Sequence, residues 1–275
     1  MSVEKKLTPV ARVLARTGCL AIGTVYVLIG TWAMFALLRV ANPAADEQRI
    51  LQRMLHFPLG NVLIAVIVLG TAGYILWLVF EALFDPYELG SSRKGLTIRT
   101  GTGLSALAYG VIVSSGVKVL LGSGEKGEEK REWLVARVLD WPAGEWLIGA
   151  AGVLVAVAGL YQIKFVYDRD HERRVRMEER SWFGRALIQG LAWTGYLARC
   201  AILLVLGGFL LSSAWSSDPR AVGDTDSAFD FLGFGGGSLG DAIFSVVAIG
   251  TINYGIFMWL NAVYFDFGHD DRESA

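Results

Sequence analysis

A long run of mostly apolar residues from Phe57 to Asp85 sets the strongest limit on how this chain folds. The hydrocarbon core of a bilayer is about 30 Å thick, and an α-helix of about 20 apolar residues crosses it. Similar runs return between Trp141 and Asp168 and between Phe234 and Asp266, each with another apolar run before it. Lipid offers no hydrogen-bond partner to a free backbone group, so these runs are predicted to be membrane-spanning helices.

The composition agrees with a membrane protein and excludes several kinds of site. Hydrophobic residues make up 53% of the 275 residues and charged residues only 19%, whereas a soluble domain is about one quarter charged. The charges stand in short blocks between apolar runs, and no nucleic-acid partner is expected. Cys19 and Cys200 are isolated inside apolar runs, and the three histidines are far apart. We therefore expect no metal site, no cofactor, no catalytic residue and no enzymatic activity.

Two sets of short motifs divide six predicted spans into three two-helix repeats. The first span of each repeat begins at a Thr-Gly pair, at Thr17, Thr100 and Thr194. The second and sixth spans share a Leu-Gly start followed, at identical spacing, by Gly-Thr-x-x-Tyr, which ends at Tyr74 and Tyr254. The fourth span keeps the Pro-x-Gly start but lacks the Gly-Thr-x-x-Tyr centre. The second repeat is thus predicted to be the most diverged of the three.

The predicted fold is an all-α integral membrane protein of six transmembrane helices. Its parts are repeat 1 at 1–87 with spans 17–38 and 60–84, repeat 2 at 93–168 with spans 101–121 and 145–167, a charged cytoplasmic linker at 169–186, repeat 3 at 187–266 with spans 187–213 and 239–265, and a cytoplasmic tail at 267–275. Each repeat has an even number of spans, so the three repeats are parallel. Parallel repeats favour a pseudo-threefold arrangement, with an irregular bundle as the alternative.

The distribution of Lys and Arg predicts the orientation. The N-terminus, the loop after the second span, the linker after the fourth span and the tail together hold most of these residues. Because cytoplasmic loops are enriched in Lys and Arg, both termini are predicted to be cytoplasmic. The loop after the third span is the weak point, since Lys126 and Lys130 are mixed there with Glu125, Glu128 and Glu129.

The Thr-Gly starts, the aromatic-Pro-x-Gly entries and the Gly-rich two-helix units resemble a bacterial membrane-protein family known as domain of unknown function 1206. The resemblance covers nearly the whole chain. It implies three tandem two-helix units in a bacterial cytoplasmic membrane. It implies no catalytic residue, substrate or cofactor.

Polar residues inside the spans are the main functional candidates. Glu81, Lys164 and Asn261 lie at similar depths near the cytoplasmic ends of their spans, where they are expected to form a polar ring or to reach the lipid headgroups. The repeat alignment starts the fifth span near Trp193, which predicts that Arg199 lies about 9 Å inside it at 1.5 Å per residue. It either binds an anion or a buried acid, or extends back to the lipid phosphates. Asn253, in mid-span, is expected to form an interhelical hydrogen bond.

Small residues and the charged linker complete the candidates. Glycines are expected to let helices approach closely, and they are Gly18, Gly30, Gly70, Gly73, Gly101, Gly195 and Gly250. The segment 168–185 mixes Arg and Glu with apolar side chains, which is typical of a surface for anionic lipid or a protein partner, or of a solvated linker.

Two functions remain open from the sequence, and the sequence does not fix the oligomeric state. One is a small channel or transporter with a polar path along the repeat axis. The other is a membrane scaffold or regulator that binds lipid or protein partners through its cytoplasmic loops.

Overall fold

The computed structural model describes residues 3–38, 60–85, 90–122, 127–168, 181–233 and 237–264, and the regular structure in these ranges is helical. The helices are α1 (Val3–Leu37), α2 (Gly60–Phe84), α3 (Arg93–Leu120), α4 (Gly127–Leu139), α5 (Gly144–Tyr167), α6 (Trp182–Ser216), α7 (Thr225–Leu232) and α8 (Gly237–Tyr264), with a short 3-10 helix at Pro219–Ala221. The all-helical prediction is therefore confirmed over the described part of the chain.

Five of these helices are long and apolar enough to cross a bilayer. The candidate spans are Arg16–Phe35, Ile64–Phe84, Gly144–Tyr167, Trp182–Ser216 and Ser238–Tyr264. Helix α3 matches the predicted third span in position, but it is not among the five. It carries Arg99 and Lys118 together with several Ser, Thr and Gly residues. Six spans therefore stay a prediction, while a membrane protein with at least five candidate spans is supported.

Several helix boundaries differ from the predicted spans and loops. Helices α1 and α6 both begin well before their predicted spans, and α6 starts where the Ser181 hydroxyl accepts a hydrogen bond from the Gly184 N–H at 3.2 Å. Helices α4 and α7 lie in segments that were predicted to be loops. Both helices are short and mix charged with apolar residues, so the sequence contains no long apolar run there.

The six long helices pack as a row in the order α3, α2, α1, α8, α6, α5. Each helix in this order packs extensively on the next one. Buried residues of α1, α2, α3, α6, α7 and α8 form one continuous core. Within the described ranges, α3 and α5 do not pack along each other, so the two helices of repeat 2 stand at the two ends of the row.

The first and third repeats contain the same helix crossing. A Cβ atom built on Gly70 of α2 would lie 2.7 Å from the Cβ of Ala21, and one on Gly250 of α8 would lie 2.6 Å from the Cβ of Ala198. Both distances are too short for a side chain, so glycine is required for this approach. In repeat 2 the corresponding position on α5 is Leu154, which is 58% exposed.

The glycines on the facing helices α1, α3 and α6 also differ between the repeats in how closely they are packed. Gly18 contacts Tyr74 in repeat 1, and a Cβ on Gly195 would lie 2.7 Å from the Cα of Tyr254 in repeat 3. A Cβ on Gly101, the equivalent glycine of repeat 2, would meet no described atom within 4 Å. Repeat 2 has therefore lost both sides of the contact that closes the other two repeats.

Glycines also bring α1 and α8 together, which joins repeat 1 to repeat 3. A Cβ on Gly23 would lie 2.6 Å from the Gly255 carbonyl oxygen, and one on Gly30 would lie 2.6 Å from the Ala248 carbonyl oxygen. The Trp259 indole N–H donates to the Leu20 carbonyl at 3.2 Å across the same interface. This close contact holds the middle of the row together.

Candidate functional site

Arg199 lies at the middle of α6, inside a helix that qualifies as a membrane span. The helix starts at Trp182, so Arg199 is about 25 Å from either helix end at 1.5 Å per residue. The equivalent residues of the other two repeats are Ile22, which is fully buried, and Ser105, which is exposed. The arginine is therefore not part of the pattern that the three repeats share.

The Arg199 guanidinium points into the bundle. Its Nη1 donates a hydrogen bond to the Tyr254 hydroxyl on α8. Its Cζ lies 4.4 Å from the centre of the Tyr254 ring and 5.2 Å from the centre of the Tyr26 ring on α1, which is within cation–π range. Of the two sequence-based alternatives for Arg199, these contacts favour an interior role over extension toward lipid phosphates.

Tyrosines from four helices surround this guanidinium. The Tyr26 and Tyr254 rings meet edge to face at 4.8 Å, and the Tyr196 and Tyr254 rings do so at 5.3 Å. Tyr109 of α3 also lies within electrostatic reach of Arg199, and its ring is 5.4 Å from the ring of Tyr74. We call Arg199 with Tyr26, Tyr109, Tyr196 and Tyr254 the arginine–tyrosine cluster.

The cluster contains a cation but no carboxylate. Among the described residues, the ion pairs join Arg99 to Asp85, Arg131 to Asp224 and Lys164 to Asp168. No described carboxylate contacts Arg199, whose electrostatic neighbours are tyrosine side chains. Arg199 is also only half-buried, so part of its surface stays accessible. The cluster therefore offers a positive charge, a hydroxyl and aromatic edges to a ligand.

Arg199 is a candidate from the sequence, whereas its tyrosine neighbours are evident only in the structure. In the sequence, Tyr26 and Tyr109 stand eight positions after their repeat glycines, and Tyr74 and Tyr254 are a second equivalent pair. Arg199 lies four residues after the third repeat glycine. That spacing, about one helical turn from the tyrosine level, was the signal that could have placed the residues together.

The residues of the predicted polar ring lie in different environments. Glu81 and Asn261 are buried, at 3% and 9% exposure. The Asn261 amide nitrogen lies 3.8 Å from the sulfur of Met258. Lys164 has a side chain that is 62% exposed, and it pairs with Asp168 of its own helix at 2.8 Å. A shared role for Glu81 and Asn261 stays a prediction, whereas the ion pair between Lys164 and Asp168 lies within one helix.

Asn253 and the linker were the remaining candidates. The Asn253 side-chain nitrogen donates to the Thr194 hydroxyl at 2.9 Å, which joins α8 to α6. Most of the 168–185 linker falls outside the described residues. Its last part starts α6 with the exposed Trp182 and Phe183. No described group of three or more His, Cys, Asp or Glu side chains could hold a metal ion.

Outside the candidate spans, a polar contact joins repeat 2 to repeat 3. Arg131 of α4 donates to the carboxylate of Asp224 at 2.5 Å, and Asp224 caps α7 by accepting from the Ser227 N–H at 2.8 Å. Burial alone would raise the pKa of Asp224. The hydrogen bonds from Ser227 and the charge of Arg131 outweigh burial and lower that pKa below its usual value. The pair is therefore ionised at neutral pH.

Comparisons with known proteins agree with the three repeats. The model of the family described as Domain of Unknown Function (DUF1206) matches residues 17–85, 100–164 and 194–264. The chain is also 30% identical over 267 residues to the uncharacterized protein YxxB of Bacillus subtilis (strain 168), covering 95% of this chain and 94% of that relative. No solved structure matches the chain.

Proposed function

Because this chain belongs to the Domain of Unknown Function (DUF1206) family, whose description assigns no activity, we propose a function from the geometry: the protein binds an anionic ligand inside its membrane-embedded bundle, with Arg199 as the counter-charge. The binding site is the arginine–tyrosine cluster. No catalytic step is part of this proposal.

One observation carries the proposal: a guanidinium inside a candidate span has no described carboxylate partner. An arginine at the centre of a span costs about 2.5–3.5 kcal/mol on insertion scales. The Tyr254 hydrogen bond and the two aromatic faces offset part of this cost, but they leave a full positive charge. An anion would neutralise that charge and accept hydrogen bonds from the guanidinium.

Ligand-dependent thermal unfolding tests the proposal. The full chain would be placed in nanodiscs of zwitterionic phosphatidylcholine, and its melting temperature would be measured with sodium acetate, inorganic phosphate and palmitate. A ligand at a hundred times its Kd stabilises a protein by about 2.7 kcal/mol, which corresponds to a rise of about 5–10 °C. We expect at least one of these anions to produce such a rise.

Variants show whether the response belongs to Arg199. Arg199→Gln removes the charge, so it should abolish the rise while leaving the unliganded protein at least as stable as the wild type. Tyr254→Phe removes one hydroxyl and should weaken the response. Lys164→Gln removes another cation within a predicted span and should respond like the wild type. A wild type without any response, or an equal response in Arg199→Gln, would contradict the proposal.

The finer architecture belongs to the same proposal. We propose that α3 also crosses the membrane, that the membrane is the bacterial cytoplasmic membrane, and that both termini are cytoplasmic. A ring of three repeats needs six contacts between neighbouring helices. In the described residues five of these contacts are extensive, and the contact between α3 and α5 is not. A pseudo-threefold ring that is open within repeat 2 would account for this pattern.

A protein with such an anion site could act as a transporter or as a scaffold. A channel or transporter would carry the anion past Arg199 along the repeat axis, and in that case the buried Glu81 and Asn261 would belong to its polar path. A scaffold would instead bind lipid or a protein through the 168–185 linker, and the exposed Trp182 and Phe183 favour that second candidate. Flux of a bound anion into sealed vesicles separates the two, because only the transporter requires flux.

A further inference from the structure

We propose that the ligand of the arginine–tyrosine cluster is a fatty-acid-class amphiphile that enters from the bilayer between α3 and α5. This inference rests on the proposed anion site and adds the chemical class of the ligand and its route of entry. Three features of the described residues lead to it: an opening, a charge beside it, and the chemistry of the surroundings.

Within the described residues the two helices of repeat 2, α3 and α5, do not pack along each other, and the proposal takes the space between them as the opening. Gly101 on α3 has no described atom within 4 Å of where its Cβ would be, and Leu154 occupies the α5 position where the other repeats have glycine. The glycine pairs that close repeats 1 and 3 bring their helices into contact there. The second repeat thus leaves its two helices apart at the depth where the others cross.

The positive charge of Arg199 lies at a similar depth to this opening. Arg199 follows its repeat glycine by four residues, and the α3 residue in the same position after Gly101 is Ser105, which is exposed. Tyr109, one turn further along α3, is buried and lies within electrostatic reach of Arg199. Helix α3 therefore has one face toward the cluster and a glycine beside the opening.

The surroundings are hydrocarbon. The exposed side chains of both helices at this level are mainly aliphatic, including Leu107 on α3 and Val153 and Val157 on α5. An opening bounded by such residues within a membrane is filled by acyl chains. A ligand with an acyl chain and an anionic head group would place its chain in the opening and its head group at Arg199.

The head group must travel through an apolar region to reach mid-membrane. A charged phosphodiester would pay the full desolvation cost on the way. A carboxyl group avoids most of that cost, because burial raises its pKa and it crosses as the neutral acid. Beside Arg199 the positive charge favours the carboxylate form, and the proton lost by the acid passes to water at the membrane surface. One guanidinium also matches one negative charge.

Photocrosslinking tests both the route and the ligand class. The full chain in phosphatidylcholine nanodiscs would be irradiated with palmitate that carries a diazirine in mid-chain, and the labelled residues mapped by mass spectrometry. The exposed Leu69 and Leu76 on α2 report ordinary contact with lipid. We expect labelling of α3 and α5 around Gly101 and Leu154 in clear excess over these two positions.

The excess should depend on charge and on access. Arg199→Gln should lower it about tenfold, the loss expected for one charge-assisted hydrogen-bonded pair, and the matching diazirine alcohol should give none. Gly101→Trp fills the opening and should lower the labelling while the melting-temperature response to acetate persists. Equal labelling of α2, α3 and α5, or an excess that survives in Arg199→Gln or with the alcohol, would overturn the inference. If acetate or phosphate stabilises the protein through Arg199 but no excess labelling is found, the proposed anion site is supported and the entry of a fatty acid between α3 and α5 is wrong.

Discussion

The first and third repeats are closed helix pairs, whereas the helices of the second repeat are separated. In the closed pairs, Gly70 and Gly250 let α2 and α8 lie directly against the Ala21 and Ala198 turns of their partner helices. The second repeat has Leu154 at the corresponding position. Glycine-mediated contact is the main way in which helices associate in lipid, where burial of apolar surface gives no driving force. The separated helices of the second repeat therefore go together with the loss of this glycine on α5, whereas Gly101 on α3 is kept.

The open repeat contributes a tyrosine to the cluster around Arg199, a charge that the other two repeats lack at the equivalent position. Repeats 1 and 2 have Ile22 and Ser105 where repeat 3 has Arg199. The closed repeats contribute Tyr26 and Tyr254, and the open repeat contributes Tyr109. The arginine is thus contacted by residues of the closed repeats, while the helices of the second repeat do not pack along each other in the described residues.

The largest expected effect comes from adding one methyl group to the closed crossing. Gly195→Ala would place its Cβ 2.7 Å from the Tyr254 Cα, and overpacking of this kind costs about 1–3 kcal/mol. The matched variant Gly101→Ala has open space and should be neutral or more stable by about 0.5 kcal/mol, since alanine favours a helix. Thermal unfolding in one detergent compares them. Equal destabilisation by both variants would mean that repeat 2 is closed as well.

The next largest effect is expected at the contact between α3 and α2. In the described residues, α2 is the one helix on which α3 packs extensively. Arg99 donates to the Ala82 and Leu83 carbonyl oxygens at the end of α2, both at 2.9 Å, and its Nη1 lies 3.7 Å from Asp85. Arg99→Gln should cost about 1 kcal/mol, because a cation at a helix C-terminus is lost. Hydrogen exchange should show faster exchange confined to α3 and the end of α2. If hydrogen exchange rises equally in α8, the Arg99 contact does not act on α3 and the end of α2 alone, and this prediction is wrong.

A pH-dependent effect is expected where α4 of repeat 2 meets α7 of repeat 3. The folded state lowers the pKa of Asp224, so its contribution is complete above the unfolded pKa of about 3.9 and is lost as the pH falls below that value. Asp224→Asn should lower the melting temperature by about 2–4 °C at pH 6. The difference from the wild type should shrink toward pH 3. A difference that is constant with pH would show that the Asp224 charge does not hold this contact.

The smallest effect is expected at Lys164 on the exposed side of α5. Its pair with Asp168 is an exposed i, i+4 contact, and such pairs contribute under about 0.5 kcal/mol. Lys164→Gln should therefore leave both stability and anion response nearly unchanged. Loss of the anion response in this variant would restore the predicted polar ring as the functional site.

The sequence predicted the helices and the repeats because both depend on local patterns. Apolar runs and glycine spacing, such as Gly70 to Tyr74 and Gly250 to Tyr254, can be recognised without knowing the packing. The missing glycine in the fourth span also marked repeat 2 as different. The partners of Arg199 could not be predicted, because Tyr26 and Tyr254 are distant in sequence and meet only through the α1–α8 and α6–α8 contacts. Helices α4 and α7 were missed because they lie in charged segments outside the spans.

Distances between spin labels at equivalent positions test most directly whether repeat 2 is open. After replacement of Cys19 and Cys200 by Ala, label pairs would be attached through Leu20→Cys with Leu69→Cys, Leu197→Cys with Ile249→Cys, and Gly103→Cys with Val153→Cys. The first two pairs span the closed repeats at matching sites, and the third spans α3 and α5. Pulsed electron paramagnetic resonance in nanodiscs should give the same short distance for the first two pairs and a longer, broader distribution for the third. Three equal, narrow distributions would show a closed threefold ring and contradict the open second repeat.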